Sequence, residues 1–440
     1  MMQGVGNIFK IPDLRKKILF TILMVIIYRL GTHIPTPGIN PLAMGALFKQ
    51  MQGTVFGLYD LFVGGGLSRA SVFAMGVMPY ISASIIFQLL GSVFPKIQKM
   101  QQDEEGRRKI NQYTRYFAVL LAILNAVGIS AYLQSLGPVQ LGDGRVIPVI
   151  AYSGILLRLV TIATLTAGTI FLMWIGELIT EKGIGNGISF LIFIGCVDSI
   201  PQSIGSTIRL VTTGAKSWFV LIVLLAIIIF TFAAMILMTQ AVRKIPVQYP
   251  KRVVGRRIYG GQSTFIPLRL TTAGVIPIIF AQSIIAIPLT VIQFLGNPNL
   301  QQGIQVWFGS GTVIHDVVYA LFIIFFSYFY TSMVFNPMDL ANNMKRMGGF
   351  IPGIRPGQKT AEYINSVLSK ITLPGAIFLA LVALLPTWIM QGLGVPFYLG
   401  GTTYLIIVGV ALDTIQQIES HLLMRSYEGL LKGTKIRGRR

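Results

Sequence analysis

Side chains that could carry out catalysis or bind a metal are scarce in this sequence. The chain has one cysteine, Cys196, and its three histidines (His33, His315 and His421) lie far apart. The sequence has no HExxH pair, no P-loop and no GxSxG turn, so the spacing argues against the common zinc, nucleotide and serine-hydrolase sites. We therefore predict that the protein is not an enzyme and that it binds no cofactor or metal.

Acidic groups that could couple ion flow to transport stand near the ends of apolar runs. These groups are Asp198, Asp413 and Glu419. A charge at the centre of a membrane helix costs about 3 kcal/mol, so such groups mark function where they occur. No pair of carboxylates falls at the centre of an apolar run, which disfavours a charge-coupled pump. A small-solute secondary transporter with inverted repeats remains the alternative.

The composition is that of a protein embedded in a membrane. Of the 440 residues, 53% are hydrophobic and only 12% are charged, whereas about 25% are charged in an ordinary soluble domain. The mean hydropathy is +0.69. A soluble fold of this size could not bury so much apolar surface. The sequence therefore predicts an all-α, polytopic membrane protein.

Ten apolar runs are long enough to cross a membrane, since a spanning helix needs about 20 residues. They lie near 18–34, 72–94, 116–134, 152–175, 184–200, 218–239, 271–295, 317–338, 372–391 and 398–419. The net charge is +21, and most of the Lys and Arg residues fall in the segments on the N-terminal side of the membrane. Cytoplasmic loops carry such an excess, so we expect both termini in the cytoplasm.

The ten runs divide into two groups of five, which would insert in opposite directions. We expect an N-terminal half over 1–212, a C-terminal half over 213–424 and a basic tail over 425–440. Inverted halves of this kind place a pathway at their interface. Within the first half, Gly64, Gly65 and Gly66 interrupt an apolar stretch. Residues 58–71 are therefore either a re-entrant piece that lines a cavity or an ordinary surface loop.

Two long loops on the predicted cytoplasmic side are basic. The loop 240–269 holds Lys251, Arg252, Arg256 and Arg257 among its positive residues and contains no acidic residue. The loop 339–370 has a tip rich in glycine and proline that exposes Arg355. These charges either set topology and meet anionic lipid, or bind an acidic partner or a phosphate backbone. Long, shaped loops on one face favour binding.

Motifs spread along the chain resemble one family, SecY, whose members are the central channel subunit of the bacterial Sec protein translocon. The matching segments are RLGTHIPTPGIN (29–40), LFVGGGLSRASVFAMGVMPYISASIIFQLL (61–90), GRRKINQYTRY (106–116), FLMWIGELITEKGIGNGISFLIF (171–193), YPKRVVGRRIYGGQSTFIPLRL (249–270), AGVIPIIFAQSI (273–284), VFNPMDLANNMKRMGGFIPGIRPGQKTAEYI (334–364) and VPFYLGGTTYLIIV (395–408). They occur in the family's order. The resemblance implies ten helices in two inverted halves around a central, hourglass-shaped pore.

The resemblance also implies a ring of apolar side chains at the waist of this pore. The matching positions are Ile81, Ile85, Ile188, Ile192, Ile279 and Ile406. The pairs on the second and fifth runs are spaced i, i+4 and share one helix face. The register of the last two positions stays open, because Ile276, Ile278 and Ile407 are close neighbours. Without the resemblance, each isoleucine is an ordinary core or lipid-facing residue.

Two further elements follow from the resemblance. A short plug helix would close the outer side of the pore, and its matching residues are Tyr59, Leu61, Phe62, Gly64, Gly65, Gly66 and Leu67. A lateral gate would open between the second and seventh runs, where Gln88 and Gln282 face the seam. These two amides either form a hydrogen bond with each other across the seam or form their hydrogen bonds within their own half.

The family also implies a set of partners. Its members work with the small membrane subunits SecE and SecG, with the SecA ATPase and with ribosomes, whose rRNA would meet the basic loops. Signal sequences, unfolded polypeptides and anionic lipid are the other expected contacts. We therefore expect a protein-conducting channel in the bacterial cytoplasmic, or inner, membrane, with Arg355, Arg256, Arg257, Lys251 and Arg252 in partner docking.

Overall fold

The structure is a computed structural model that describes residues 11–50, 60, 63–140, 145–150, 154–214, 216–249, 252–254, 257–259, 263–271, 274–295, 312–393 and 401–433. Its helices are α1 (Pro12–Gly31), α2 (Pro41–Gln50), α3 (Met78–Val93), α4 (Pro95–Gln102), α5 (Glu104–Ser135), α6 (Ile155–Lys182), α7 (Gly187–Thr212), α8 (Trp218–Gln240), α9 (Ile276–Leu295), α10 (Val313–Val334), α11 (Pro337–Arg346), α12 (Gln358–Leu393) and α13 (Gly401–Gly433).

Three antiparallel hairpins complete the described secondary structure. β1 (Val139–Gln140) pairs with β2 (Val146–Ile147), and β3 (Val242–Gln248) pairs with β6 (Ser263–Arg269). Between the last two strands, β4 (Arg252–Val254) pairs with β5 (Arg257–Tyr259). The basic loop 240–269 is therefore a long hairpin, although the protein as a whole is helical.

Each of the ten predicted spans coincides with a helix, namely α1, α3, α5, α6, α7, α8, α9, α10, α12 and α13. Among the described residues, six helices are long and apolar enough to cross a membrane by length and composition alone. The number is seven if α3 and α4, which meet at a bend of 115°, count as one span. The polytopic, helical class predicted from hydropathy is confirmed.

Some helices differ in extent from the apolar runs. α3 begins at Met78 rather than at residue 72, because residues 71–77 form a bridge and turns. α7 continues past residue 200 to Thr212 with Pro201 inside it. α12 includes residues 358–371, whose polarity suggested a loop. Hydropathy marks only the apolar part of a helix, so polar extensions escape it.

Eight helices follow one another in a closed circuit of pairwise packing. The order is α3, α5, α6, α7, α13, α12, α10, α9 and back to α3. Helices of the predicted first half occupy one side of the circuit, and helices of the predicted second half occupy the other. Within this circuit, consecutive helices of the two sides meet where α3 packs against α9 and where α7 packs against α13, and we call these two pairs the seams. α5 also contacts α9, and α8, which lies outside the circuit, contacts α7. A closed circuit with two seams is the arrangement that a pore between two halves requires.

Candidate functional site

The six predicted ring isoleucines come together in one apolar cluster. Ile81, Ile85, Ile192 and Ile406 are buried, whereas Ile188 and Ile279 are half-buried and pack against the same cluster. Side chains from every helix of the circuit except α5 contribute to this cluster. The described structure therefore places the predicted ring residues in a common apolar core.

The four helices that carry the ring isoleucines are the four helices of the two seams. α3 and α9 contribute on one seam, and α7 and α13 contribute on the other. If the halves separate along a seam, these side chains are among the groups that part. The register alternatives remain, because Ile278 and Ile407 are also members of the cluster.

Local sequence fixes the start of α7, the helix that carries the ring positions Ile188 and Ile192. An ideal Cβ on Gly187 would lie only 1.9 Å from the carbonyl oxygen of Gly176, so α6 and α7 approach too closely for a side chain there. Asn186 caps the helix, since its Oδ1 accepts hydrogen bonds from the backbone N–H groups of Ile188 (3.2 Å) and Ser189 (3.3 Å). These contacts hold Ile188 on the first turn of α7.

The predicted plug segment, 58–71, is described at Asp60 and from Val63 onward. Its members Tyr59, Leu61 and Phe62 lie outside the described residues. Asp60 is helical, and residues 63–70 form turns and a bend. Val63 and Leu67 are buried, and Asp60 Oδ1 accepts hydrogen bonds from the backbone N–H groups of Leu67 (2.8 Å) and Ser68 (2.9 Å). The described part of the segment thus buries its apolar side chains in the protein, and Asp60 stabilises its turn.

The glycine turn of this segment lies against α7. Gly64 has a φ of +68°, which favours glycine, and an ideal Cβ on it would be 3.1 Å from Cα of Gly195. The hydroxyl of Tyr28 in α1 donates a hydrogen bond to the carbonyl of Val63 at 3.1 Å. Gly64 therefore allows a close approach between the segment and α7.

The two predicted gate amides differ in their surroundings. Gln88 is half-buried on α3, and its Nε2 donates a hydrogen bond to Ser84 Oγ on the same helix at 3.1 Å. Gln282 is buried on α9, which packs against α3. α3 and α9 contact each other along this seam.

The described residues of the two predicted basic loops, within 242–271 and 335–371, form one folded unit. We call this unit the cytoplasmic platform, after the side of the membrane on which the sequence predicts it. Its core contains side chains from β3, β6, α11 and α12, namely Ile245, Val247, Leu268, Met344, Ile351, Ile364 and Leu368. Gln248 and Phe350 exchange two backbone hydrogen bonds of 2.9 and 3.0 Å. The two loops therefore pack against each other around a shared core rather than as two separate segments.

Three of the predicted docking residues, Arg355, Arg252 and Arg257, are described by the structure. Arg355 is exposed at the tip, where Thr360 Oγ1 donates a hydrogen bond to its carbonyl at 3.0 Å. Arg252 and Arg257 stand in β4 and β5, and Lys251 and Arg256 lie outside the described residues. The structure therefore presents Arg355 on a well-supported turn.

Comparison with known proteins decides the family. A SecY family model matches residues 71–415, which is most of the chain. The chain belongs to the SecY family. It is 45% identical over 434 residues to a protein translocase subunit SecY of Aquifex aeolicus, covering 98% of this chain and 100% of that protein. It is 44% identical over 446 residues to the SecY subunit of Thermotoga maritima, with 100% of both chains covered.

Solved structures of SecY relatives share the fold. A structure described as a protein-conducting channel matches with a TM-score of 0.64 at 18% identity, covering 94% of this chain and 96% of that one. The Sec61 chain of a canine ribosome-channel complex matches with a TM-score of 0.61 at 17% identity and the same coverage. The all-α fold class that the sequence predicted is confirmed by these neighbours.

One polar cluster was missed when the sequence was read alone. Asp198 near the middle of α7 contacts the guanidinium groups of Arg29 on α1 and Arg69 in the plug segment. The sequence did hold a signal for the pairing of Arg29 with Asp198. These two opposite charges lie near the ends of two apolar runs that are predicted to finish on the same side of the membrane. Arg69 carried no such signal, because only the fold brings it to Asp198.

Proposed function

We propose that the apolar cluster around the six ring isoleucines is the waist of a pore that passes unfolded secretory polypeptides. The chain is a multi-pass membrane protein and a protein-conducting channel subunit, because it belongs to the SecY family over nearly its whole length. This family is one of translocation channels, not of enzymes. A small-solute secondary transporter is not favoured by any of the relatives.

The observation that carries the proposal is the placement of the ring isoleucines on all four seam helices. An apolar constriction excludes ions by dewetting when it is empty. Branched apolar side chains also form no strong bonds with a passing chain, so polypeptides of many sequences can slide through. When the halves part, the same side chains can surround the moving polypeptide and limit ion leak.

We further propose that the seam between α3 and α9 is the lateral gate, through which signal sequences and membrane helices reach lipid. Gln88 and Gln282 lie on the two helices of this seam. Hydrogen bonds between membrane helices contribute only about 0.6 kcal/mol on average. Polar contacts of that strength suit a seam that a signal helix must open.

The cytoplasmic platform is the proposed docking surface for the energy source. SecA or a ribosome would bind at Arg355 and at the basic hairpin, and would supply energy by ATP hydrolysis or by chain elongation. SecE and SecG are the proposed membrane subunits of the complex, and anionic lipid is the proposed contact of the remaining basic groups. We place the chain in the bacterial cytoplasmic membrane with both termini in the cytoplasm.

Reconstitution tests this function against the transporter alternative. Vesicles that contain the chain with SecE, SecG and SecA should protect an unfolded secretory preprotein from added protease when ATP is present. The same vesicles should show no saturable uptake of small solutes. Saturable solute uptake without preprotein protection would favour the transporter.

Replacing Arg355 with glutamate should weaken binding of the partner at the platform. The side chain is exposed on a turn, so its loss leaves the platform core intact. The substitution removes one charge contact and adds a repulsive charge. It should lower the affinity for the partner about tenfold, mostly by weakening the salt-dependent attraction between the two surfaces. Binding of ribosomes or SecA to membranes measures the change.

Arg209 is the matched control for this prediction. It is an exposed arginine in the last turn of α7, at the opposite end of the helix from Asn186 and the cytoplasmic side. Arg209→Glu should leave partner binding unchanged. An equal loss of binding in both variants would remove Arg355 from the docking role.

A further inference from the structure

A single carboxylate holds two guanidinium groups where the plug segment meets α1 and α7. Asp198 Oδ1 contacts Arg29 Nη2, and Asp198 Oδ2 lies 3.8 Å from Arg69 Nη2. Arg29 belongs to α1, Asp198 to α7 and Arg69 to the plug segment. One acidic group therefore links the segment to two membrane helices.

His33 holds the same arginine from the other side. Arg69 Nη1 lies 3.1 Å from His33 Nε2, and His33 Nδ1 lies 2.8 Å from the carbonyl oxygen of Arg29. A carbonyl can only accept, so Nδ1 carries the proton of the neutral ring and Nε2 accepts from Arg69. Arg69 thus has a defined position between His33 and Asp198.

The chain immediately after Arg69 is fixed to another part of the protein. The backbone N–H of Thr36 donates to the carbonyl of Ala70 at 2.7 Å, and the N–H of Val72 donates to the carbonyl of Ile34 at 2.9 Å. Ala70 has a φ of +49°, an uncommon conformation for a residue with a side chain. The backbone after Arg69 is therefore anchored to the segment that follows α1, and Arg69 joins this anchored part to the rest of the plug segment.

We propose that the Arg69–Asp198 pair is a latch that keeps the plug segment seated and sets how strong a signal sequence must be to open the channel. This inference rests on the proposed channel function and on the plug role that the SecY resemblance implies for residues 58–71. The side chains of Arg69 and Asp198 are 29% and 18% exposed, so water screens the pair and its contribution is modest. A modest latch suits an element that must open in every transport cycle.

The latch is tested by a double-mutant cycle on the complete translocon. The variants are Arg69→Gln, Asp198→Asn and the two combined, with Arg209→Gln as the control on an exposed arginine of the same helix as Asp198. The readouts are export of a preprotein with a defective signal sequence and ion conductance of the resting channel. Each single variant should raise both about fivefold, which corresponds to about 1 kcal/mol.

The double variant should match Asp198→Asn, because the Arg69 contact is already lost in that single variant and Arg69→Gln removes nothing further. Additive effects, or wild-type behaviour of Arg69→Gln at normal membrane abundance, would overturn the latch. Arg69→Gln is the decisive variant, since it leaves the Arg29–Asp198 pair in place, whereas Asp198→Asn leaves Arg29 without its counter-charge. Asp198→Glu keeps the negative charge, so unlike Asp198→Asn it should retain the wild-type selectivity for strong signals.

The same experiment separates this inference from the proposed function. If the wild-type translocon exports a normal preprotein and the variants match it on defective signals, the latch alone fails. If the wild-type translocon exports no preprotein, the proposed function itself fails.

Discussion

Replacing Ile406 with asparagine should raise the ion conductance of the resting channel about tenfold, since a polar group wets an apolar constriction. Ile406 is fully buried in the central cluster, on one of the four seam helices. An unpaired amide at this position also costs about 1–3 kcal/mol, which weakens the closed packing. Planar-bilayer recordings measure the conductance, and export of a preprotein with a weak signal measures the loss of selectivity.

Ile415 is the matched control on the same helix. Its side chain is 49% exposed, so an asparagine there meets solvent or lipid headgroups rather than the central cluster. Ile415→Asn should leave conductance and signal selectivity unchanged. Unchanged conductance in Ile406→Asn, at normal abundance in the membrane, would show that the central cluster is not the ion barrier.

Truncating Ile364 to alanine should break the cytoplasmic platform and lower partner binding by at least about tenfold, as expected for loss of a core side chain that costs about 2–5 kcal/mol. Ile364 lies on α12 and is fully buried in the core that α12 shares with the hairpin and α11. The change lies outside the central cluster, so the membrane-embedded helices should still assemble. Binding of SecA or ribosomes to membranes that contain the variant measures the effect.

The neighbouring residue Tyr363 is the control for this change. It is 40% exposed, so Tyr363→Ala removes a large side chain next to Ile364 without opening the platform core. Limited proteolysis should cut the 242–271 hairpin faster in Ile364→Ala than in Tyr363→Ala. Equal proteolysis together with full partner binding would mean that the platform does not act as one rigid unit.

The membrane path of the chain could be predicted from sequence because it depends on one strong effect. Apolar side chains must leave water, and each of the ten apolar runs does fall on a helix. The limits of the helices could not be predicted as well. α12 extends far into the cytoplasmic platform, where its polar residues pack against the hairpin rather than lipid.

Contacts between distant segments could not be predicted from the sequence, for a physical reason. The two basic loops looked independent, because their shared core depends on a few side chains such as Val247 and Ile364 meeting in three dimensions. The approach of Arg69 to Asp198 likewise depends on the turns after Gly64 and on the left-handed backbone conformation at Ala70. The ring isoleucines were found only through the family resemblance, since their helix faces look like any apolar face.

Site-specific photo-crosslinking tests the central claim most directly. A photoreactive residue at position 85, buried at the middle of α3, is compared with one at Ile229, which is 59% exposed at the middle of α8. In the presence of a stalled, half-translocated preprotein, the account predicts labelling of the preprotein from position 85 and none from position 229. Labelling from neither position, with SecA and SecE present and the preprotein engaged, would contradict a pore through the ring isoleucines.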